Sequence, residues 1–182
     1  MPRYAAFLRA INVGNRRLKM DRLQSIFTEA GYTKVTTLIA SGNVWFHTPL
    51  RSVAKLRTQI EQSLLESLGF DVDTFLRTDS QLRFIDAANP FETDQAKDDL
   101  VHVHVLFFHE PIPIEASEAL RRNQTATDRV EIIGTEVYWR CKGRMSESNY
   151  WTQPEIKKIK LPNNTARNIQ TIKRMIAVKT GS

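Results

Sequence analysis

The residues best equipped for chemistry are cations gathered where a glycine frees the backbone. From Tyr4 to Met20 the chain reads YAAFLRAINVGNRRLKM, with Arg9, Asn12, Arg16, Arg17 and Lys19 crowded around Gly14. Cationic side chains beside open backbone N–H groups suit the holding of something negative. A second polar, glycine-bearing segment is Ser41-Gly42-Asn43, and a third candidate is Arg167-Asn168 near the C-terminal end. The candidate ligand-binding set is therefore Arg9, Asn12, Gly14, Lys19, Ser41, Asn43, Arg167 and Asn168. Residues 165–178 read as a helix, which places Arg167 in its first turn. The helix dipole disfavours a cation there unless an anion compensates. This predicts one anion-binding cleft shared by Arg167, Arg9, Asn12 and Lys19. The alternative is that Arg167 pairs with a carboxylate, such as one in the acidic stretch FETDQAKDD.

Other reactive side chains are explained more simply. His102 and His104 share one face of a strand, but no third ligand follows at a recognisable spacing, and alternation with valines suits a half-buried strand; no metal is expected. Cys141 lies among Arg140, Lys142 and Arg144, which would lower its thiol pKa if it were exposed, yet no general base is near in sequence. Glu92, Asp94, Asp98 and Asp99 read as a solvated connector without a cation-binding loop pattern. Trp139, Tyr150 and Trp151 lie in the basic region, where they can stack on bases or fill a core. There is no phosphate-loop, dinucleotide or nucleophile-elbow signature, so no catalytic residue and no cofactor is named.

These side chains must be positioned by the elements around them. Strand patterning from Tyr4 is followed by a helix from about Met20 to Ala30, a strand over 33–40, a tight turn at Ser41–Asn43 and a strand over Val44–His47. An apolar stripe of Val53, Leu56, Ile60, Leu64 and Leu68 marks a long helix stopped by Gly69. Asp71–Thr78 reads as a strand and Ser80–Ala88 as a short helix. The order βαββαβ predicts a ferredoxin-like antiparallel sheet with both helices on one face. In that topology the first and second strands run the same way. The loop Ile11–Lys19 and the turn Ser41–Asn43 should then meet at one end of the sheet.

After the acidic connector come a strand, LVHVHVLFFH, a helix over Glu115–Asn123, and a hairpin of Val130–Ile133 and Glu136–Arg140 around Gly134. Ser146–Lys158 reads as helical, split or kinked by Pro154. The final helix, Thr165–Val178, turns Ile169, Ile172, Met175 and Ile176 inward and belongs to the core. The fold class is thus α+β, a ferredoxin-like βαββαβ half with a βαββα half and C-terminal helices. The domain expectation is a subdomain over 1–91 and a second over 92–182 with the basic helices. No residue-level repeat links them.

Composition narrows the function classes. An apolar fraction of 41% and a charged fraction of 25% describe an ordinary globular chain and exclude a wholly disordered one. No apolar run approaches the roughly 20 residues that span a bilayer, so no membrane partner is expected. A single cysteine and no secretory pattern suit the cytoplasm. The net charge of +6 is uneven: from Arg140 onward ten basic residues face only Glu147 and Glu155, leaving +8 there and −2 elsewhere. Concentrated positive charge attracts polyanions.

The segments YAAFLRAINVGNRRLKMDRL, GYTKVTTLIASGNVWF, SESNYW and NTARNIQT resemble the bacterial domain-of-unknown-function family numbered 1697. The resemblance implies an α+β protein with a ferredoxin-like N-terminal part, and it brings no established activity or catalytic residue. Two positions depart from its pattern: Asn15 stands in place of a second glycine and Ile169 in place of a tryptophan.

The functional expectation is a cytoplasmic protein that binds a phosphate-bearing ligand, nucleic acid included. The alternatives are an enzyme for a small anionic substrate, with Arg9, Lys19 and Arg167 as electrostatic stabilisers, and an interaction module that offers a basic face to an acidic protein. The sequence does not set the oligomeric state.

Overall fold

The computed structural model describes residues 1–14, 18–38 and 42–178. The chain divides into two compact units, Met1–Phe84 with Arg174–Ser182, and Ile85–Lys173.

The first unit contains β1 (Arg3–Leu8), α1 (Met20–Glu29), β2 (Thr33–Leu38), β3 (Asn43–His47), α2 (Val53–Leu68) and β4 (Thr74–Thr78), and α3 (Asp79–Ala87) begins in it. Its sheet is antiparallel in the order β2-β3-β1-β4, the ferredoxin-like arrangement. Alternation along β1 sends Tyr4, Ala6 and Leu8 to one face, where they share a core with Leu23, Ile26 and Phe27 of α1 and Leu56, Ile60 and Leu64 of α2. Ser52 caps α2 by accepting the Lys55 N–H, and Gly69 ends it in a left-handed conformation, φ 77°.

The second unit takes in the end of α3, α4 (Glu92–Lys97), β5 (Val101–Phe107), α5 (Ile114–Arg122), β6 (Asp128–Ile133), β7 (Glu136–Lys142), α6 (Pro154–Lys157), β8 (Thr165–Asn168) and the start of α7 (Ile169–Ala177). Its sheet order, β6-β7-β5-β8, repeats the first. The βαββα half expected from the sequence is therefore a second complete βαββαβ unit.

Three expectations need correction. Residues 165–168 form a strand that pairs with β5, Arg167 opposite Val105, so the final helix begins only at Ile169. Four residues are too short to show an alternating pattern, and pairing defines this strand. The helical reading of Ser146–Lys158, split or kinked by Pro154, gives way to two single 3-10 turns, Met145–Glu147 and Tyr150–Thr152, followed by the four-residue α6 with Pro154 in its first turn. The acidic connector is partly helical, as α4. The final helix is core as expected: Ile169, Ile172 and Met175 are fully buried.

Candidate functional site

The first strand leaves its sheet through a loop with a built frame. Ala10 takes a left-handed backbone, φ 53°, directly after the exposed Arg9, a conformation an L residue adopts only under constraint. Asn12 then behaves as a piece of backbone. Its Oδ1 accepts the Leu18 N–H at 2.6 Å and its Nδ2 donates to the Leu18 carbonyl at 3.3 Å, pinning the two ends of the segment that carries Gly14. A Cβ placed on Gly14 would point into open space, so its backbone can be approached closely. Lys19, exposed, stands at the N-cap of α1 without a side-chain capping bond.

The β2–β3 turn lies against this loop. The Leu8 N–H donates to the Gly42 carbonyl at 2.9 Å, and a Cβ on Gly42 would come within 2.8 Å of Ile11 Cγ2. The two polar segments therefore meet at one end of the first sheet, as the topology requires. Asn43 is fully buried and its Nδ2 donates to the Leu38 carbonyl at 3.0 Å, closing the hairpin from inside. On the other side, the Arg9 N–H donates to the Asp73 carbonyl. Ser41, like Asn15, Arg16 and Arg17, lies outside the described residues.

Arg167 and Asn168 belong to the second unit. Because Arg167 is a strand residue and not a helix-start residue, the dipole argument for an anion beside it does not hold. Its guanidinium is buried and donates to Thr165 Oγ1 and the Ala166 carbonyl, each at 2.8 Å; burial pushes its pKa down to about 10, which leaves it charged at neutral pH. Asn168 Oδ1 accepts the Gln170 N–H at 2.8 Å, a backbone role at the start of α7.

The acidic stretch instead serves other cations. Asp94 pairs with Arg140 at 3.3 Å, Asp98 with Lys142 at 2.8 Å and Glu92 with Lys173 at 3.4 Å. Hydrogen bonding from Lys142, then from the Leu100 N–H, lowers the Asp98 pKa. The stretch is thus not merely solvated, and it offsets part of the C-terminal positive charge.

Register discloses a constellation that spacing conceals. His102 of β5 lies opposite Cys141 of β7, which lies opposite Asp128 of β6. A histidine, a thiol and a carboxylate therefore share one row on the side of the sheet covered by helix. The thiol and the carboxylate are both withheld from chemistry. Cys141 is buried, and burial followed by the Asp128 charge raises its thiol to about 11, the reverse of the lowering that exposure would bring. Asp128 is committed to Trp139 Nε1 at 3.0 Å, Ser148 Oγ at 2.5 Å and Thr127 Oγ1 at 2.8 Å. The three do not gather their ligand atoms closely enough to chelate a metal. The next row holds His104 against Trp139, ring centroids 5.3 Å apart, and burial drives its pKa to about 4. The base opposite Cys141 was invisible in sequence because it lies 39 residues away, and only cross-strand pairing brings it near.

The aromatic residues of the basic region are core. Trp139 and Tyr150 are 2% and 1% exposed, Trp151 packs edge-on against both, and Tyr150 OH donates to the Leu120 carbonyl at 2.6 Å.

Residues 1–138 match the family described as protein of unknown function (DUF1697), and the chain belongs to that family. No curated protein matches it. Among solved structures, that of a conserved bacterial protein from Streptococcus pneumoniae is similar, with 24% identity, a TM-score of 0.71 and coverage of 96% of this chain and 97% of that one. At that identity the likeness concerns the fold alone. No helix among the described residues is long and apolar enough to cross a membrane.

Proposed function

We propose that this DUF1697 family member binds a small phosphate-bearing ligand at the end of its first sheet, where the loop after β1 meets the β2–β3 turn. The observation that carries the reading is the paired hydrogen bonding of Asn12 to Leu18, which ties these two residues together between the exposed cations Arg9 and Lys19. Groups whose positions are set before binding lose little entropy when an anion arrives. The left-handed Ala10 and the open side of Gly14 support the same reading, since backbone strain and close backbone approach gather at ligand sites. Asn12 and Asn43 act as frame, and Arg9, Lys19 and the backbone around Gly14 are the contacting groups. Arg167, whose guanidinium is engaged by Thr165 and Ala166 within the second unit, is not counted among the contacting groups. The protein works in the cytoplasm in this reading, which its single buried thiol suits.

Thermal unfolding in phosphate and in chloride at matched ionic strength tests this. A ligand at 100 times its Kd stabilises by about 2.7 kcal/mol, so phosphate should raise the melting temperature of the native chain measurably. The Arg9→Ala, Lys19→Ala double variant should lose most of that rise. Because multivalent anions also stabilise proteins by exclusion from the surface, an equal phosphate effect in the native and double-variant proteins overturns the site.

A further inference from the structure

The positive charge left over in the second unit is not spread evenly. Of the cations from Arg140 onward, Arg140, Lys142 and Lys173 are engaged by Asp94, Asp98 and Glu92, and Arg167 is buried. The segment Ile156-Lys157-Lys158-Ile159-Lys160-Leu161 is built differently. Ile156 is 4% exposed and joins the core beside Leu120 and Tyr150, while Ile159 and Leu161 are half-buried against that same core. Anchoring at those three positions forces Lys157, Lys158 and Lys160 outward, and all three are exposed. They make no ion pair among the described residues, and the adjacent acid is the exposed Glu155. The segment packs on α5, whose last turn carries Arg121 and the exposed Arg122, with Arg121 held by Glu131 at 3.3 Å. The Tyr150 hydroxyl, bonded to the Leu120 carbonyl, ties the preceding turn to that same end of α5.

We infer that the outer face formed by Lys157, Lys158, Lys160 and Arg122 binds the phosphate backbone of double-stranded nucleic acid without reading its sequence. Three features favour this partner. The packing needs the three outward positions only to be polar, yet all are lysine, and neighbouring lysines without acidic partners fit a regular row of phosphates. Of the aromatic side chains that would stack on unpaired bases, Trp139 and Tyr150 are enclosed in the core and the half-buried Trp151 packs edge-on against both, which reduces the usual means of gripping a single strand. The helix that carries Lys157, α6, has four residues and is too short to fill a groove, so contact from this segment is confined to the backbone. This surface belongs to the second unit and the loop to the first, and either proposal can fail alone.

The test is a fluorescence titration of the full-length protein with a short DNA duplex at several salt concentrations, repeated with Lys157→Gln, Lys158→Gln, Lys160→Gln combined. Each phosphate neutralised contributes about 0.9 to the slope of log affinity against log salt. The triple variant should therefore bind at least about tenfold more weakly at low salt, with a slope smaller by about 2 to 3. A scrambled duplex should bind as well as the first. Equal affinity and slope in native and triple-variant proteins overturn the inference, as does duplex binding abolished instead by the Arg9→Ala, Lys19→Ala variant, which would assign the polyanion to the first-unit loop. Preference for a poly-glutamate peptide over the duplex likewise overturns it in favour of an acidic protein partner. The three lysines are exposed, so an unchanged melting temperature confirms that the variant is folded.

Discussion

The two units solve one topology with different materials. Each sheet runs in the order second, third, first, fourth strand, and each is covered first by a helix of similar length, α1 or α5. The remaining cover differs. The first unit uses the 16-residue α2, whose stripe of Leu56, Ile60 and Leu64 is fully buried. The second unit uses the irregular run from Met145 to Leu161, in which 3-10 turns and α6 replace the helix and single anchors replace the stripe. A helix satisfies its own backbone hydrogen bonds and needs only an apolar face. An irregular cover must be tied down by side chains, and here Asp128, Ser148 and the Tyr150 hydroxyl do so. Smaller devices recur without shared sequence. An edge-strand backbone group is capped by a glutamine in both units, Gln24 donating to the Val35 carbonyl and Gln124 accepting the Val130 N–H. A buried arginine on the last strand donates to the preceding carbonyl in both, Arg77 to Leu76 and Arg167 to Ala166. What repeats is the backbone's need and not the residue pattern.

If the irregular cover depends on anchors, the largest effect comes from removing one. Tyr150→Ala should destabilise the protein by about 3–5 kcal/mol, since it empties a fully buried aromatic site and orphans the Leu120 carbonyl. Denaturant unfolding measures this, and a cost below 1 kcal/mol would break the comparison. Asp128→Asn keeps the shape but removes the charge behind the bonds that Trp139 Nε1 and Ser148 Oγ both make to Oδ1, and sets a donor in place of the Oδ2 that accepts from Thr127 Oγ1. A loss of about 1–3 kcal/mol is expected, together with faster amide exchange over residues 145–152 than over α2.

The first unit has its own sensitive point in the turn and not in its cover. Gly42→Ala would force a Cβ to within 2.8 Å of Ile11 Cγ2 at a φ of 71°, and a cost of about 1–3 kcal/mol should appear as a lower melting temperature.

His104 sharpens the comparison through pH. Its pKa falls from 6.5 to about 4 in the folded protein, so between those values the unfolded chain binds the additional proton. The stability tied to a neutral His104 is complete above pH 6.5 and is lost as the pH drops toward 4. His47, lowered by burial and by Arg3, acts in the same direction, so the informative quantity is the difference between native and His104→Gln melting curves, which should diverge in slope across that window. The smallest effect belongs to the surface. Lys142→Ala removes an exposed partner of Asp98 and should change stability by less than about 1 kcal/mol.

The sequence by itself determined the strands, the long helix with its glycine stop, and the ferredoxin-like first unit, because alternation, the 3.6-residue stripe and the tight-turn glycine are local signals with local causes. It also determined that two polar segments meet at one sheet end, since antiparallel topology leaves no other place for them. Past Arg140 the sequence identified the inward face of the final helix, and the tertiary structure decided the rest. Thr165–Asn168 becomes a strand because β5 offers it an open edge, and that pairing moves Arg167 from a helix start into a buried site. The acidic connector meets Arg140, Lys142 and Lys173 across long separations in sequence, which no spacing announces. His102, Cys141 and Asp128 share a row because strand register, a property of three strands together, aligned them, and burial then determined that the thiol stays protonated.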